Sequence, residues 1–195
     1  LTSLTNSGVY GTNYGSVTVD GASNVLGASI GSKSGKTTVL GYDVDLTGMT
    51  GGEGNAQIGY HNAGATGAID VRATHDISVV AGDSGSECEE CNQGTAYAQI
   101  GNGGAFATGS EGGNISVRAG GNITVSGGDN TFDYAQIGNG GDAGSANQGT
   151  AGDTGNITVT AGGWLTMQGG VDYAQIGNGG WGSNGSSGNI SVTAT

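Results

Sequence analysis

An eight-residue sequence, Tyr-Ala-Gln-Ile-Gly-Asn-Gly-Gly, occurs three times in this chain, at residues 97–104, 134–141 and 173–180. Shorter versions, Ala-Gln-Ile-Gly and Ala-Ser-Ile-Gly, stand at residues 56–59 and 28–31. Because the sequence between these copies varies, the repeated residues must meet the same physical environment each time. A stack of similar coils supplies such an environment, so this octapeptide predicts a solenoid.

A second formula recurs with the octapeptide. The sequence Gly-Asn-Ile-Ser-Val-Arg-Ala and its close variants occupy residues 67–73, 113–119, 155–161 and 188–194. A further short apolar run follows the first three of these, at residues 76–79, 122–125 and 164–167. Apolar and polar residues alternate in these runs, as in a β-strand, and no helical period occurs.

These patterns predict an all-β fold, namely a right-handed parallel β-helix with three short strands per coil, roughly five coils and loops inserted at two corners. A β-sandwich would show hairpin spacing but gives no reason to repeat an octapeptide. We expect one β-helix segment over residues 1–195. Residues 1–14 are an irregular lead-in or cap, 15–66 form degenerate coils that include a strand signal at 23–26, and 67–195 are regular repeats.

The alternation also assigns the faces of the strands. The residues expected to point into the core are Ile115, Val117, Ile123, Val125, Ala135 and Ile137. Those expected to point outward are Asn114, Ser116, Arg118, Thr124, Tyr134 and Gln136.

Stacking places equivalent residues of successive coils about 4.8 Å apart, so the octapeptide predicts columns of like side chains. Tyr97, Tyr134 and Tyr173 would form an aromatic column. An amide column, hydrogen-bonded along the axis as in cross-β stacks, would consist of Gln57, Gln99, Gln136 and Gln175. Asn102, Asn139 and Asn178 would lie in turns where neighbouring Gly permits positive φ. We regard these as the binding or stacking columns of the protein.

Composition narrows the function classes. The chain contains 45 Gly and no Pro, which suits a fold that uses almost every backbone N–H in a ladder. Its net charge is −12, with only Lys33, Lys36, Arg72 and Arg118 as basic residues. The chain therefore lacks the basic surface that nucleic-acid binding requires, and binding to an anionic membrane is disfavoured.

We expect the chain to be a processed segment rather than a complete protein. No stretch is long and apolar enough for membrane insertion, and no signal peptide is present. Leu1 begins without Met, and Gly188–Thr195 begins another coil. We therefore expect a mature or excised segment of a longer array, or copies that stack end to end through unpaired ladders.

Cys88 and Cys91 are the only cysteines. Two cysteines do not complete a four-ligand zinc site, and the βαβ context of a redox CxxC motif is missing. We expect a short-range disulfide that closes a loop.

Motifs that resemble catalytic sites lack their structural context. Residues 27–31 match G-x-S-x-G, residues 31–37 resemble a phosphate loop and residues 177–182 match G-x-G-x-x-G, but no helix follows any of them. We predict no catalytic residue and interpret His61 and His75 as solvated. Asp70, Arg72 and Arg118 share an outward face, which keeps a carbohydrate-active β-helix enzyme, a polysaccharide lyase or hydrolase, as an alternative.

Calcium is the one cofactor that the residues suggest, and only weakly. The aspartates do not recur at a fixed place in each repeat, as Ca²⁺-binding β-rolls require. A loop site built from Asp83, Glu87, Glu89 or Glu90 remains an alternative. The prediction is otherwise no metal and no cofactor.

The strand formula at 113–125 and the octapeptide resemble the repeats of filamentous-haemagglutinin-like large bacterial exoproteins, adhesins secreted by the two-partner route. The likeness covers residues 67–195 well and 15–66 loosely. It implies a right-handed β-helical shaft, export to the cell surface and a role in attachment or biofilm. The secretion domain of that family carries an Asn-Pro motif, and this chain has no Pro, so we expect that domain to be absent.

We therefore predict a structural, non-enzymatic segment of a secreted bacterial surface protein, serving as an adhesin shaft or self-assembling extracellular fibre subunit. A ligand- or ice-binding module is a further alternative, since Ser and Thr columns face outward. The expected partners are copies of itself, neighbouring coils of a longer chain, and a host-surface or matrix carbohydrate or protein. Nucleic acid is not an expected partner.

Overall fold

The computed structural model describes residues 15–21, 27–52, 54–61, 64–85, 95–142, 152–183 and 185–195. Within them the chain forms short β-strands and no α-helix. No helix in these ranges is long and apolar enough to cross a membrane. The strands, in chain order, are β1 (Val17–Asp20), β2 (Ala28–Ile30), β3 (Thr37–Gly41), β4 (Val44–Thr47), β5 (Ala56–Ile58), β6 (Ile69–Ala73), β7 (Ile77–Val80), β8 (Ala98–Ile100), β9 (Ile115–Ala119), β10 (Ile123–Ser126), β11 (Ala135–Ile137), β12 (Ile157–Ala161), β13 (Leu165–Gln168), β14 (Ala174–Ile176) and β15 (Ile190–Ala194).

Every third strand belongs to the same sheet. Sheet A has the order β1-β4-β7-β10-β13, sheet B the order β2-β5-β8-β11-β14 and sheet C the order β3-β6-β9-β12-β15. All pairs within the sheets are parallel, and they join equivalent residues, for example Ile123 with Ile77 and Leu165. Three consecutive strands thus make one coil, and five coils stack. The predicted parallel β-helix is confirmed.

The core lies inside the coils and consists of columns of Ile, Val, Leu and Ala from all three sheets. The residues predicted to point inward are all buried there: Ile115, Val117, Ile123, Val125, Ala135 and Ile137. Removing each such side chain from water stabilises the fold by roughly 1.5–3 kcal/mol for Ile or Val. Ser116 and Arg118 are exposed, as expected of outward residues, whereas Tyr134 and Gln136 also face away from the core but are buried.

The three corners differ in how much they vary. The turn from sheet C to sheet A stays short; between β9 and β10, for example, it contains only Gly120, Gly121 and Asn122. The other two corners hold nearly all the length variation, as predicted, because a loop can leave a coil there without disturbing its neighbours. Several predicted features lie outside the described residues: the lead-in at 1–14, the strand at 23–26, Cys88 and Cys91, and the loop glutamates Glu87, Glu89 and Glu90.

The last coil, β13 to β15, exposes residues that are buried in the coils before it. Ile190 and Val192 continue the core columns of sheet C, yet they are 50% and 43% exposed. Met167 does the same in sheet A at 42%. The stack therefore presents an apolar end face with one unpaired edge from each sheet.

Candidate functional site

The octapeptide supplies the second strand of the third, fourth and fifth coils, namely β8, β11 and β14. Its Ala and Ile face the core, while its Tyr and Gln lie on the opposite face of sheet B. They point outward as expected, yet Tyr134 and Gln136 are 0% exposed. The reason is that the Gly-Asn-Gly-Gly turn folds back over the strand that precedes it and places its backbone against these side chains. The turn of the next coil also contacts Gln136.

The tyrosines form a continuous stack. Ring centroids of Tyr97 and Tyr134 are 4.9 Å apart with planes at 1°, and those of Tyr134 and Tyr173 are 5.0 Å apart at 13°. His61 extends this column: its ring lies 6.4 Å from that of Tyr97, and its Nδ1 is 2.8 Å from the Tyr97 hydroxyl. His61 is therefore half-buried and bonded rather than solvated as expected, and burial lowers its pKa.

The glutamines bond to the backbone of the next coil, not to one another. Gln99 Nε2 donates to the carbonyls of Gly138 and Gly140, both at 2.9 Å. Gln99 Oε1 in turn accepts a hydrogen bond from the Tyr134 hydroxyl at 3.3 Å. The expected amide-to-amide ladder is wrong, because the turn carbonyls are buried and need donors, which the side-chain amides supply.

The same pattern recurs in the neighbouring coils, with one difference. Gln57 donates to Gly101 and accepts from Tyr97, and Gln136 donates to Gly177 and Gly179. Gln136 Oε1 and the Tyr173 hydroxyl, however, are both buried without a hydrogen-bond partner. Gln175, in the last coil, donates within its own turn, to Gly179 at 3.2 Å.

The asparagines form the ladder that the glutamines do not. Asn102 N–H donates to Asn139 Oδ1, and Asn139 N–H donates to Asn178 Oδ1, each at 3.1 Å. Each side-chain NH₂ also bridges two backbone carbonyls at the start of sheet C, as Asn102 does with Gly67 and Gly112 at 2.8 Å. One residue type thus closes the corner and joins adjacent coils.

The glycines of the turn are required by close approach. The first glycine after Asn takes positive φ, +107° at Gly103 and +96° at Gly140. A Cβ on Gly141 would lie 2.5 Å from the Tyr134 hydroxyl, which no side chain can tolerate. A Cβ on Gly138, the glycine directly after Ile, would lie 1.8 Å from the carbonyl oxygen of Gly177. Every position of the octapeptide therefore has a structural use.

Two further ladders were missed in the sequence. At the start of sheet C, Asn156 N–H donates to Asn114 Oδ1 and Asn189 N–H donates to Asn156 Oδ1, both at 3.0 Å. This explains the recurring Gly-Asn-Ile formula, whose asparagine sits at the same place in each coil. The sequence shows an Asn at the same place in each of these repeats. Aligning the coils would have indicated that these asparagines stack on one another.

The third ladder, at the start of sheet A, replaces amides with carboxylates in two coils. Asp76 N–H donates to Asp43 Oδ1 at 3.1 Å, and Asn122 N–H donates to Asp76 Oδ1 at 2.6 Å. His75 Nδ1 lies 2.8 Å from Asp43 Oδ1 and 3.5 Å from Asp76 Oδ2. The ionisable donor atoms of these three side chains lie within 4.8 Å of one another.

The hydrogen bond between Asp43 and His75 shifts the pKa values of both groups. The hydrogen bond from His75 holds the pKa of the Asp43 carboxyl below its usual value, and the same bond raises the pKa of His75. Desolvation, together with the charges of Asp43 and Asp76, raises the pKa of neighbouring Asp45. These residues line a groove of about 340 Å³ on the outside of sheet A. His75 is exposed as expected, but it is paired.

The charged face proposed for carbohydrate chemistry is an ion-pair cluster. Asp70 accepts hydrogen bonds from Arg72 Nε at 3.0 Å and Nη2 at 2.9 Å, and from Lys36 Nζ at 3.0 Å. Arg118 is the register partner of Arg72 one coil away. Burial raises the pKa of the Asp70 carboxyl, but the hydrogen bonds from Lys36 and Arg72 outweigh it and the net shift is downward.

A buried acidic pair was also missed. Glu111 and Asp153 are 2% and 4% exposed, and Glu111 N–H donates to Asp153 Oδ1 at 3.1 Å. Glu111 Oε1 accepts from Gly64 N–H at 3.2 Å. Burial, and then the hydrogen bond between the Glu111 and Asp153 side chains, raise the pKa of Glu111 to about 7. The two acids lie far apart in sequence, so only the coil geometry reveals the pair.

Comparisons of the chain with protein-family models, curated proteins and solved structures gave no match.

Proposed function

We propose that this chain is a structural segment of a secreted bacterial surface protein, acting as an adhesin shaft or as a subunit of an extracellular fibre. The observation that carries the proposal is the use of the octapeptide. Its Tyr, Gln and Asn side chains are directed at the adjacent coils and at their own turns. A residue set repeated this strictly for stacking supports a role in building a long, regular rod. Secretion and the bacterial surface rest on the resemblance of the repeats to exoprotein adhesins.

The end face of the last coil supports assembly along the axis. Gln99 and Gln136 donate to the following coil, whereas Gln175 turns back to its own. Ile190 and Val192 continue the core columns into solvent. A further coil in the same register would bury both and extend all three sheets. That coil is supplied either by a second copy or by neighbouring coils of a longer chain.

Electron microscopy of the purified chain tests the proposal. Filaments of constant width indicate a self-assembling fibre subunit, and monodisperse short rods indicate a segment of a shaft. Compact particles whose circular dichroism lacks a β-sheet spectrum would refute both. Adhesion is tested separately, by the binding of beads coated with the chain to immobilised matrix carbohydrates and proteins, with uncoated beads as the control.

The carbohydrate-active alternative has a separate test. Both Asp70 oxygens accept hydrogen bonds from Arg72 or Lys36, an arrangement that ties up a carboxylate rather than leaving it to accept a proton. A screen for polysaccharide cleavage with the pure chain decides the matter. Cleavage that is lost in Asp70→Asn would replace the structural proposal with an enzymatic one.

A further inference from the structure

The ladder at the start of sheet A contains two carboxylates, of Asp43 and Asp76, although its hydrogen bonds do not require a charged acceptor. Asn122 occupies the same position as Asp43 and Asp76 and uses a neutral amide oxygen to accept the N–H of Trp164 at 2.9 Å. An amide would serve equally in the two coils before it. Two carboxylates on adjacent coils repel each other, since their coils lie only about 4.8 Å apart. The carboxylates therefore indicate a use beyond the ladder.

The cluster is held in place by contacts outside its own three side chains. The Ser16 hydroxyl donates to Asp43 Oδ2 at 3.2 Å, and the backbone N–H of Asn122 fixes Asp76 Oδ1. The Tyr42 ring stacks on His75, with centroids 5.1 Å apart and planes at 14°. Supporting contacts of this kind orient metal ligands and increase their affinity, because the ligands need not be ordered on binding.

The remaining atoms form a mixed nitrogen and oxygen donor set. His75 Nδ1 faces Asp43 Oδ1 and Asp76 Oδ2, and the groove around them is lined by no Lys or Arg. Ligand atoms of a tetrahedral Zn²⁺ ion are about 3.4 Å apart, as its bonds are about 2.0–2.2 Å long. The 3.5 Å between Nδ1 and Asp76 Oδ2 matches this separation. The 2.8 Å between Nδ1 and Asp43 Oδ1 has to lengthen when a metal ion replaces the hydrogen-bonding proton.

We propose that Asp43, His75 and Asp76 bind one divalent metal ion of the Zn²⁺ class, which joins the second coil to the third. Imidazole nitrogen favours Zn²⁺ and its transition-metal neighbours over Ca²⁺ and Mg²⁺, which prefer oxygen ligands throughout. Water fills the coordination positions that open to the groove. Two of the ligands follow β6 and one follows β3, so the ion bridges adjacent coils on the outside of sheet A.

Isothermal titration of the chain with ZnCl₂ at pH 8 tests this proposal, in a Cys88→Ser, Cys91→Ser background so that thiolates do not bind the metal. We expect one Zn²⁺ per chain and weaker binding of CaCl₂. His75→Ala should weaken Zn²⁺ binding at least tenfold, and Asp76→Asn and Asp43→Asn should weaken it by a similar factor. Both Asn variants keep the oxygen that accepts the ladder hydrogen bond, so they should melt at the same temperature as the parent without metal.

Asp129→Asn is the matched control, because it removes one exposed negative charge elsewhere and should leave the affinity unchanged. Zn²⁺ should also raise the melting temperature of the parent and not that of His75→Ala, since the ion bridges two coils only in the folded state. No saturable Zn²⁺ binding by the parent would overturn the proposal. Equal affinity in parent and His75→Ala, or equal loss in Asp129→Asn, would also overturn it.

Discussion

A buried glutamine has to satisfy two donors and an acceptor, and Gln99 does so by bonding to backbone that belongs to another coil. Its NH₂ group faces two carbonyls, of Gly138 and Gly140, and its oxygen faces a hydroxyl. This asymmetry fixes the orientation of the amide. A side chain of similar shape without the NH₂ donors would therefore either leave this buried position or strongly destabilise the fold.

Gln99→Glu is the test of that orientation. A carboxylate would face two carbonyls, so the residue must be protonated to remain inside. Keeping a proton at pH 7 on an acid of ordinary pKa near 4.3 costs roughly 3–4 kcal/mol, and the lost donor adds about 1 kcal/mol. We expect the free energy of unfolding to fall by about 4 kcal/mol or more at pH 7 and by about 2 kcal/mol at pH 5. Urea titration at both values measures it.

Gln168→Glu is the matched control, because Gln168 is exposed at the end of β13. It should change the free energy of unfolding by less than about 0.5 kcal/mol at either pH. Equal effects of the two substitutions would contradict the bonding assigned to Gln99.

The sequence predicted which residues face the core. It did not predict the hydrogen bonds made by the side chains on the opposite face of the strand. Alternation alone places Ala135 and Ile137 inside. The burial of Tyr134 and Gln136 depends on a turn that folds back over sheet B, and alternation contains no information about that turn. The asparagine ladders could be suspected from the sequence, because an Asn recurs at one position in each coil. Whether those asparagines are hydrogen-bonded depends on the register between coils, which the sequence does not give.

At the scale of the strand, β11 illustrates why each element depends on its neighbours. It is three residues long, and it is paired on both sides, with β8 and β14. Its Ile137 is 0% exposed among the side chains of the other two sheets. So short a strand has no stability of its own and persists because the stack completes it.

Ile137→Asp should therefore abolish the cooperative melting of the chain, since a buried carboxylate with no partner costs several kcal/mol and the neighbouring coils depend on this one. Ile190→Asp is the comparison, because Ile190 is 50% exposed on the last coil. Thermal melting followed by circular dichroism distinguishes them. Cooperative melting of Ile137→Asp close to the parent temperature would contradict the inward position.

The buried pair of Glu111 and Asp153 links the corner loops of adjacent coils and predicts a pH dependence. Glu111 has its pKa raised from 4.5 to about 7 in the folded chain, so the folded state retains a proton that the unfolded state releases. This contribution to stability is fully present below about pH 4.5 and is lost as pH rises through about 7. It should lower the free energy of unfolding by about 2 kcal/mol between pH 5 and pH 8.

Glu111→Gln isolates this contribution, because an amide cannot ionise. The fall in the free energy of unfolding between pH 5 and pH 8 should be smaller in this variant than in the parent by about 2 kcal/mol. Asp129→Asn, which changes an exposed acid, should show the full fall. If Glu111→Gln and the parent have parallel pH profiles, the folded chain does not hold that proton.

At the scale of the whole molecule, the stack is made of nearly equivalent coils, and its two directions are not equivalent. The sequence repeat predicted this architecture, because one repeat of the sequence corresponds to one coil of the structure. What the period could not supply is the character of an end face, which depends on side chains that nothing covers. Ile190, Val192 and Met167 on the last coil form that face.

The end face predicts which substitutions control assembly. Ile190→Lys together with Val192→Lys places two charges on the ends of the core columns, where another coil would have to bury them, and natural sheet edges use Lys in this way to prevent pairing. Ser191→Lys together with Thr193→Lys adds the same charge to the same strand, but on its outer face, so the end face stays apolar. If copies associate through this end, the first pair should abolish the filaments that the parent would form in electron micrographs. The second pair should leave them intact, and both variants should melt cooperatively. Filaments that survive the first pair, or that are lost equally in both, would show that copies associate through another surface.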